Sequence, residues 1–266
     1  MTGPDGPVLD EGRLRAAVEE VLVEHGPGSP GPHAVPDLRD QLLEHLGGLG
    51  FAWQESVQVD DVVHTFDLLG VAADHPTRTT AQSFLLGDGR VLRSHTTSSV
   101  LRALAAEPGC PRRRLVVGGP CYRNVRPGPR FVTFFHQVEM CAVGPEIGFG
   151  DVKGLALSTV AELLGPHAAS ALRPRALPYV APGLAVDVVC TPCDGRGCGL
   201  CGGRGQLEVM AGGLLRDEIA RDVDVPAASR VALLAVSLER VLAVRHGVAD
   251  IRPFIADDPP VVAPYR

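Results

Sequence analysis

The chain has 266 residues, is 45% hydrophobic and carries a net charge of −6, which excludes a generally disordered polymer and a broadly basic nucleic-acid surface. No apolar run approaches the roughly 20 residues of a membrane span, and residues 1–6 lack the basic and apolar segments of a secretory signal, so a cytoplasmic protein without a membrane partner is expected. Four of the seven cysteines fall in one cluster, which in a reducing compartment reads as a metal site and not as disulfides.

In chain order, Leu14, Val18, Val21 and Leu22 recur at helical spacing and predict an amphipathic helix over 10–25. The stretch 26–32 (GPGSPGP) is a linker, so residues 1–32 form a helix-and-linker arm before a domain at 33–266. A helix is predicted at 36–47, with Leu38, Leu42, Leu43 and Leu46 on one face and Gly47-Gly48 ending it. Ser83–Leu86 and Val91–Ser94 flank Gly87-Asp88-Gly89-Arg90, a hairpin signal. Strands are predicted at 114–118, 131–143, 185–190 and 206–210, and helices at 97–106, 151–164 and 229–245. Hairpins ahead of the first crossover helix favour an α+β fold, a mostly antiparallel sheet flanked by helices, over a regularly alternating parallel one.

Two segments are suited to a polyanion. One runs from Cys121-Tyr122-Arg123-Asn124 through an Arg-rich loop to Phe134-Phe135-His136-Gln137-Val138-Glu139. The other is Leu238-Glu239-Arg240, which closes the apolar run at 231–236, here read as part of a helix. Arginine matches phosphate oxygens with a fixed fork of donors and stays charged when partly buried. Phe135 offers a ring on which a base can stack. Solvated loop arginines and a surface Glu-Arg pair are the plainer reading, but a charged pair ending an apolar run needs a reason. Neither GxxxxGK(S/T) nor GxGxxG occurs, so a cradle of backbone amides is not indicated.

From about His33 to Asp258 the chain resembles the class II aminoacyl-tRNA synthetase catalytic core, and within it the alpha subunit of phenylalanyl-tRNA synthetase. Similar words stand in the same order: Phe66-Asp67-Leu68-Leu69, Asp74-His75-Pro76-Thr77-Arg78, Leu92-Arg93-Ser94-His95-Thr96-Thr97, the Tyr122–Glu139 segment, Leu207-Glu208-Val209 with Gly212-Gly213, and Leu238-Glu239-Arg240 with its tail to Phe254. The resemblance implies that Arg123 contacts the α-phosphate of ATP. It implies that Arg240 holds the far phosphates and stacks on adenine opposite Phe135, and that Glu208 and Glu239 help to place Mg2+. His95, Thr97, Gln137 and Glu139 would form the polar pocket for the substrate, with Leu177 and Tyr179 against its side chain.

The chain also departs from that pattern. Val125 and Arg126 stand where the family carries acidic residues, and Arg130-Phe131 where it has Thr-His. Leu177-Pro178-Tyr179 takes the place of its FPF word, and Ala235 and Ser237 the place of glycines. The family's N-terminal tRNA-binding coiled coil has no counterpart in this reading. The expected activity is therefore ATP-dependent adenylation of an amino acid or related carboxylic acid, with transfer to a tRNA or to a carrier protein or small-molecule amine. The alternative is a degenerate synthetase-like binding protein. By analogy with the family, a homodimer through residues 36–60 is expected.

Cys190, Cys193, Cys198 and Cys201 make a tandem CxxCxGxG at 190–205. Two such knuckles present four thiolates tetrahedrally, a closed and therefore structural Zn2+ site. The knuckle reads as an insertion between two core strands; in a second reading Arg196 and Arg204 dock the acceptor. Cys110, Cys121 and Cys141 are isolated and read as small buried residues or as bystanders.

Overall fold

The computed structural model describes residues 34–86 and 88–255; the helix expected at 10–25 and the linker at 26–32 lie outside the described residues. The first element is helix α1 (Ala34–Gly48), with Leu38, Leu42 and Leu46 buried as their spacing requires. Two short strands follow, β1 (Ala52–Trp53) and β2 (Val59–Asp61). Then come β3 (Arg90–Leu92), helix α2 (Thr97–Ala105), β4 (Arg113–Tyr122), β5 (Phe134–Gly144) and helix α3 (Phe149–Leu164). The second half holds β6 (Ser170–Pro174), β7 (Val180–Val189), β8 (Gln206–Leu215), the short helix α4 (Asp217–Asp222), β9 (Arg230–Ser237) and helix α5 (Leu238–His246).

Seven strands form one sheet in the order β1-β4-β5-β9-β8-β7-β6. Only the edge pair β1–β4 is parallel; the other five pairings are antiparallel. Helices α1, α3 and α5 cover one face, against Val138, Met140, Val186, Leu234 and Val236. On the other face α2 and α4 cover one end, packing Val100, Leu101 and Ile219 on Leu115, Cys141 and Leu233. The expected helix-flanked antiparallel sheet is therefore the observed fold.

The segment 229–245 corrects the sequence reading: its first half is strand β9, and helix begins only at Leu238. Periodicity does not separate a buried helix from a central strand when every position is apolar. Here alternation settles it, because Val231 and Leu233 enter one core while Ala232, Leu234 and Val236 enter the other. The tight turn after Leu86 does form, with Leu86 N–H donating to the Arg90 carbonyl at 2.8 Å. The ladder partner of β3, however, is β2, and β6 was not foreseen. Cys121 and Cys141 are buried as expected, whereas Cys110 is half-exposed.

Because β4–β5, β5–β9, β9–β8 and β8–β7 are all antiparallel, the 123–133 loop, the cysteine segment between β7 and β8 and the β9–α5 junction gather at one end of the sheet. That convergence positions the site.

Candidate active site

At that end of the sheet, no helix among the described residues packs on the second face. Central strands there carry small or polar residues: Ala211 lies opposite Ala235, and Ala235 opposite Glu139. Phe135, Gln137, Ala211, Ala235 and Ser237 remain half-exposed although their strands lie inside the sheet. A trough with a floor of small side chains results, and Ala235 and Ser237, where the related motif has glycines, keep it shallow-floored rather than filled.

Glu139 sits in its wall, 1% exposed. Thr96 Oγ1 and Thr97 Oγ1, at the start of α2, donate to Glu139 Oε2 at 2.7 and 3.0 Å. Burial nonetheless pushes its carboxyl up to about 7, with the two hydroxyls pulling the other way. Gln137, two residues earlier on the same face, accepts from Thr96 N–H at 3.3 Å and from the Cys121 thiol at 3.4 Å. His95 donates from Nε2 to the Thr65 carbonyl at 3.1 Å, and its Nδ1 is buried without a partner. Burial, aided by the charge of Arg123, lowers His95 to about 4, so the ring is neutral and Nδ1 is an acceptor. Leu177 and Tyr179 flank β7 and pack on the second core. Burial raises the Tyr179 phenol above its usual range, Thr97 opposing. Thr97, Gln137, Glu139 and Tyr179 are thus brought together, Tyr179 through Thr97, while Leu177 packs on the second core beside β7.

Arg93, unnoticed as a scaffold residue in the sequence, holds that wall in place. It is fully buried, and its guanidinium donates to the Pro120 and Gly118 carbonyls and to Ser56 and Ser99 at 2.7 to 3.2 Å. A buried cation is tolerable only when so fully bonded. A Cβ at Gly119, whose φ is +124°, would lie 2.7 Å from Arg93 NH2, so glycine is required there.

The phosphate-type arginines occupy the middle of the trough. Arg123 Nε donates to the Ser94 carbonyl at 3.2 Å, and its guanidinium lies 4.8 Å from the Phe135 ring centroid. Arg240 NH1 donates to the Glu208 carbonyl at 3.0 Å. Burial first, then the charges of Arg123 and Arg130, bring Arg240 down to about 10. The Glu208 carboxylate accepts from Arg173 at 2.7 Å, and Arg173 also bonds Asp187, a cross-strand neighbour of Glu208. Asp187 and Arg173 carried no motif signal in the sequence and appear only through strand register. Glu208 and Asp187 are hard oxygen donors of the kind that suits Mg2+. Glu239 lies elsewhere: fully buried, its Oε1 accepts from both the backbone N–H and Nδ1 of His136, at 2.7 Å each, while Oε2 has no partner. Its visible work is to tie α5 to the start of β5.

At the end of the trough stands the cysteine knuckle. Sγ atoms of Cys190 and Cys198, Cys193 and Cys201, and Cys198 and Cys201 lie 3.8, 3.9 and 3.8 Å apart. Zn–S bonds of about 2.3 Å in a tetrahedron place sulfurs about 3.8 Å apart, so the four thiols fit that ion. Gly197 N–H and Gly205 N–H donate to Cys193 and Cys201 Sγ at 3.2 and 3.3 Å, the same offset in each repeat. The repeats interlock, since a Cβ at Gly205 would meet the Gly195 carbonyl oxygen at 2.0 Å. Arg196 pairs with Asp194 at 3.1 Å in the open.

This geometry has known relatives. Residues 25–265 match the tRNA synthetases class II core domain (F) family. The chain belongs to that family. It is 33% identical over 227 residues to the phenylalanine–tRNA ligase alpha subunit of Gloeobacter violaceus, covering 85% of this chain and 66% of that one. It is 30% identical over 251 residues to the same subunit of Exiguobacterium sp., covering 93% and 73%. For the Geotalea daltonii subunit the identity is 29% over 230 residues, covering 85% and 66%. The chain thus spans about two thirds to three quarters of the length of these relatives. Among the described residues no helix is long and apolar enough to cross a membrane.

Proposed function

We propose that this chain activates an amino acid or related carboxylic acid as its acyl-adenylate. A carboxylate oxygen of the acid attacks the α-phosphorus of ATP; the bond from that phosphorus to the bridging oxygen breaks, and pyrophosphate leaves. The observation that carries the reading is the meeting of two complementary half-sites in one trough. One is an anionic and neutral hydrogen-bonding wall, Glu139 with Gln137, Thr97 and neutral His95, and the other is a pair of partly buried arginines, Arg123 and Arg240.

Glu139 faces the α-ammonium group, and Leu177 and Tyr179 bound the side chain. Arg123 neutralises charge developing on the α-phosphate, and Arg240 holds the phosphates beyond it; Phe135 supplies a face for adenine. Glu208 and Asp187 would hold Mg2+, which neutralises the phosphates when bound, and Glu239 holds the β9–α5 junction that carries Arg240 against β5 through His136. No protein nucleophile is needed, because positioning and charge stabilisation suffice for an in-line displacement. The relatives' names point to tRNA as acceptor of the acyl group; a carrier protein or small amine is the other candidate. The knuckle is proposed to hold structural zinc. A homodimer through residues 36–60 is supported by the exposure of Leu49, Trp53 and Val57 on that stretch.

Hydroxylamine intercepts an activated acyl group as a hydroxamate. Hydroxamate formed only when both ATP and one carboxylic acid are present is the expected result. Its absence across a panel of proteinogenic and aryl acids would overturn the proposal.

A further inference from the structure

On the face covered by α1, α3 and α5, away from the trough, a hollow of about 480 Å³ opens where α3, β7 and α5 all end. Leu163, Val188 and Val244 are buried beneath it. Leu164 and Ala168, which also line it, are only half-buried although Leu164 and Ala168 pack against the core. Arg245 stands exposed on the rim, and Glu162 beside it is engaged by Gln41 and His45.

The chain enters the fold at this hollow. Gln41 Nε2 donates to the Glu162 carbonyl and carboxylate at 3.2 and 3.0 Å, and His45, one turn later, lies 3.0 Å from Ser158 Oγ, one turn earlier. Helix α1 is therefore antiparallel to α3. Gln41 Oε1 also accepts from Arg245 at 2.8 Å. Following α1 back from Gln41 to Ala34 covers roughly 10 Å, past the end of α3 at Leu164 and toward the mouth of the hollow. The stretch from Gly26 to His33, between the helix expected at 10–25 and α1, reaches at most about 26 Å when extended. The exposed Leu49, Trp53 and Val57 follow the opposite end of α1, roughly 20 Å from Ala34, so the hollow is the closer apolar surface.

Leu14, Val18, Val21 and Leu22 form a stripe that a helix of this length has to bury to be stable. Charge favours the same place. Glu19, Glu20 and Glu24 lie in the half of that helix nearest its tether, where Arg245 marks the rim. We infer that residues 10–25 fold back as a helix and dock in this hollow, laying their apolar stripe on Leu164, Ala168 and Val244. The occupant is the chain's own arm, and the docking stands independently of the adenylation reading.

Hydrogen exchange on the intact chain, read by mass spectrometry, tests this. Amides of 10–25 should exchange about tenfold or more slowly than those of the linker at 26–32, because an undocked helix of this length gives little protection. Ala168→Arg, which changes the hollow and not the arm, should return 10–25 to linker rates. Leu14→Asp/Leu22→Asp should do the same and also speed exchange in 163–169 and 244–248. Unchanged exchange in β4 and β5 shows in each variant that the fold is intact. Arm amides that exchange at linker rates in the wild type, or protection that survives Ala168→Arg, would overturn the docking. Protection that fades on dilution would assign the hollow to the arm of a second copy and overturn it as well.

Discussion

The guanidinium of Arg123 lies over the ring of Phe135, 4.8 Å from its centroid. The proposed α-phosphate ligand and the proposed adenine platform are therefore in contact before nucleotide binds. Under the proposed function, adenine stacking on that ring face would displace Arg123 and so couple the two contacts. Phe135→Ala is expected to weaken ATP and AMP alike. Arg123→Ala is expected to lower the adenylation rate about a hundredfold to a thousandfold, as for a lost electrostatic donor, with the same thermal midpoint. Steady-state kinetics beside thermal melts check both.

Glu139 makes substrate affinity depend on pH. Its carboxyl is raised from 4.5 to about 7 by burial, so the form that binds an ammonium group increases as pH rises through 7. KM for the amino acid should fall between pH 6 and 8, and Glu139→Gln should remove most of the dependence together with the affinity. The stability effect has the opposite sense. Between 4.5 and 7 the folded chain binds the proton more tightly than the unfolded one, so this group lowers stability as pH rises across that window. Glu139→Gln should therefore melt higher than wild type at pH 8, and by less at pH 5.

The pocket's side-chain preference should follow Leu177 and Tyr179. Changing both to phenylalanine, the family's aromatic pair, is expected to shift activation toward phenylalanine. The ratio of kcat/KM between phenylalanine and the natural acid measures it.

Zinc should be present at about one ion per chain, and Cys193→Ser should abolish it. Elemental analysis of protein prepared without chelators decides this. Because the knuckle closes the β7–β8 hairpin and its Cys190, Leu200 and Cys201 are buried in the core, loss of metal should also lower the thermal midpoint.

Much of this architecture could be read from the sequence, and the failures have physical causes. Strands β4, β5, β7 and β8 declared themselves by β-branched and apolar runs, and α1 by its leucine spacing. The run at 231–236 did not, since a strand buried on both faces lacks alternation. Strand β6, with its arginine and two prolines' worth of surroundings at Pro174 and Pro178, has little β-signal of its own and is placed by pairing with β7. In the site, Arg123, Phe135, Glu139 and Arg240 were legible because they sit in ordered motif words. Asp187 and Arg173 meet Glu208 only across strands. The depth of Glu239 and its bonds to His136 are properties of the β9–α5 junction that spacing does not reveal. Leu233, 1% exposed in the middle of β9, gives a check on the strand: Leu233→Ala should cost about 2–5 kcal/mol in denaturant unfolding.

The most direct measurement is amino-acid-dependent exchange of labelled pyrophosphate into ATP by the purified, metal-loaded chain. Exchange stimulated by one acid, and lost in both Arg123→Ala and Arg240→Ala, is the predicted result. Undetectable exchange with every acid tested, or exchange that survives both substitutions, would contradict adenylation in this trough.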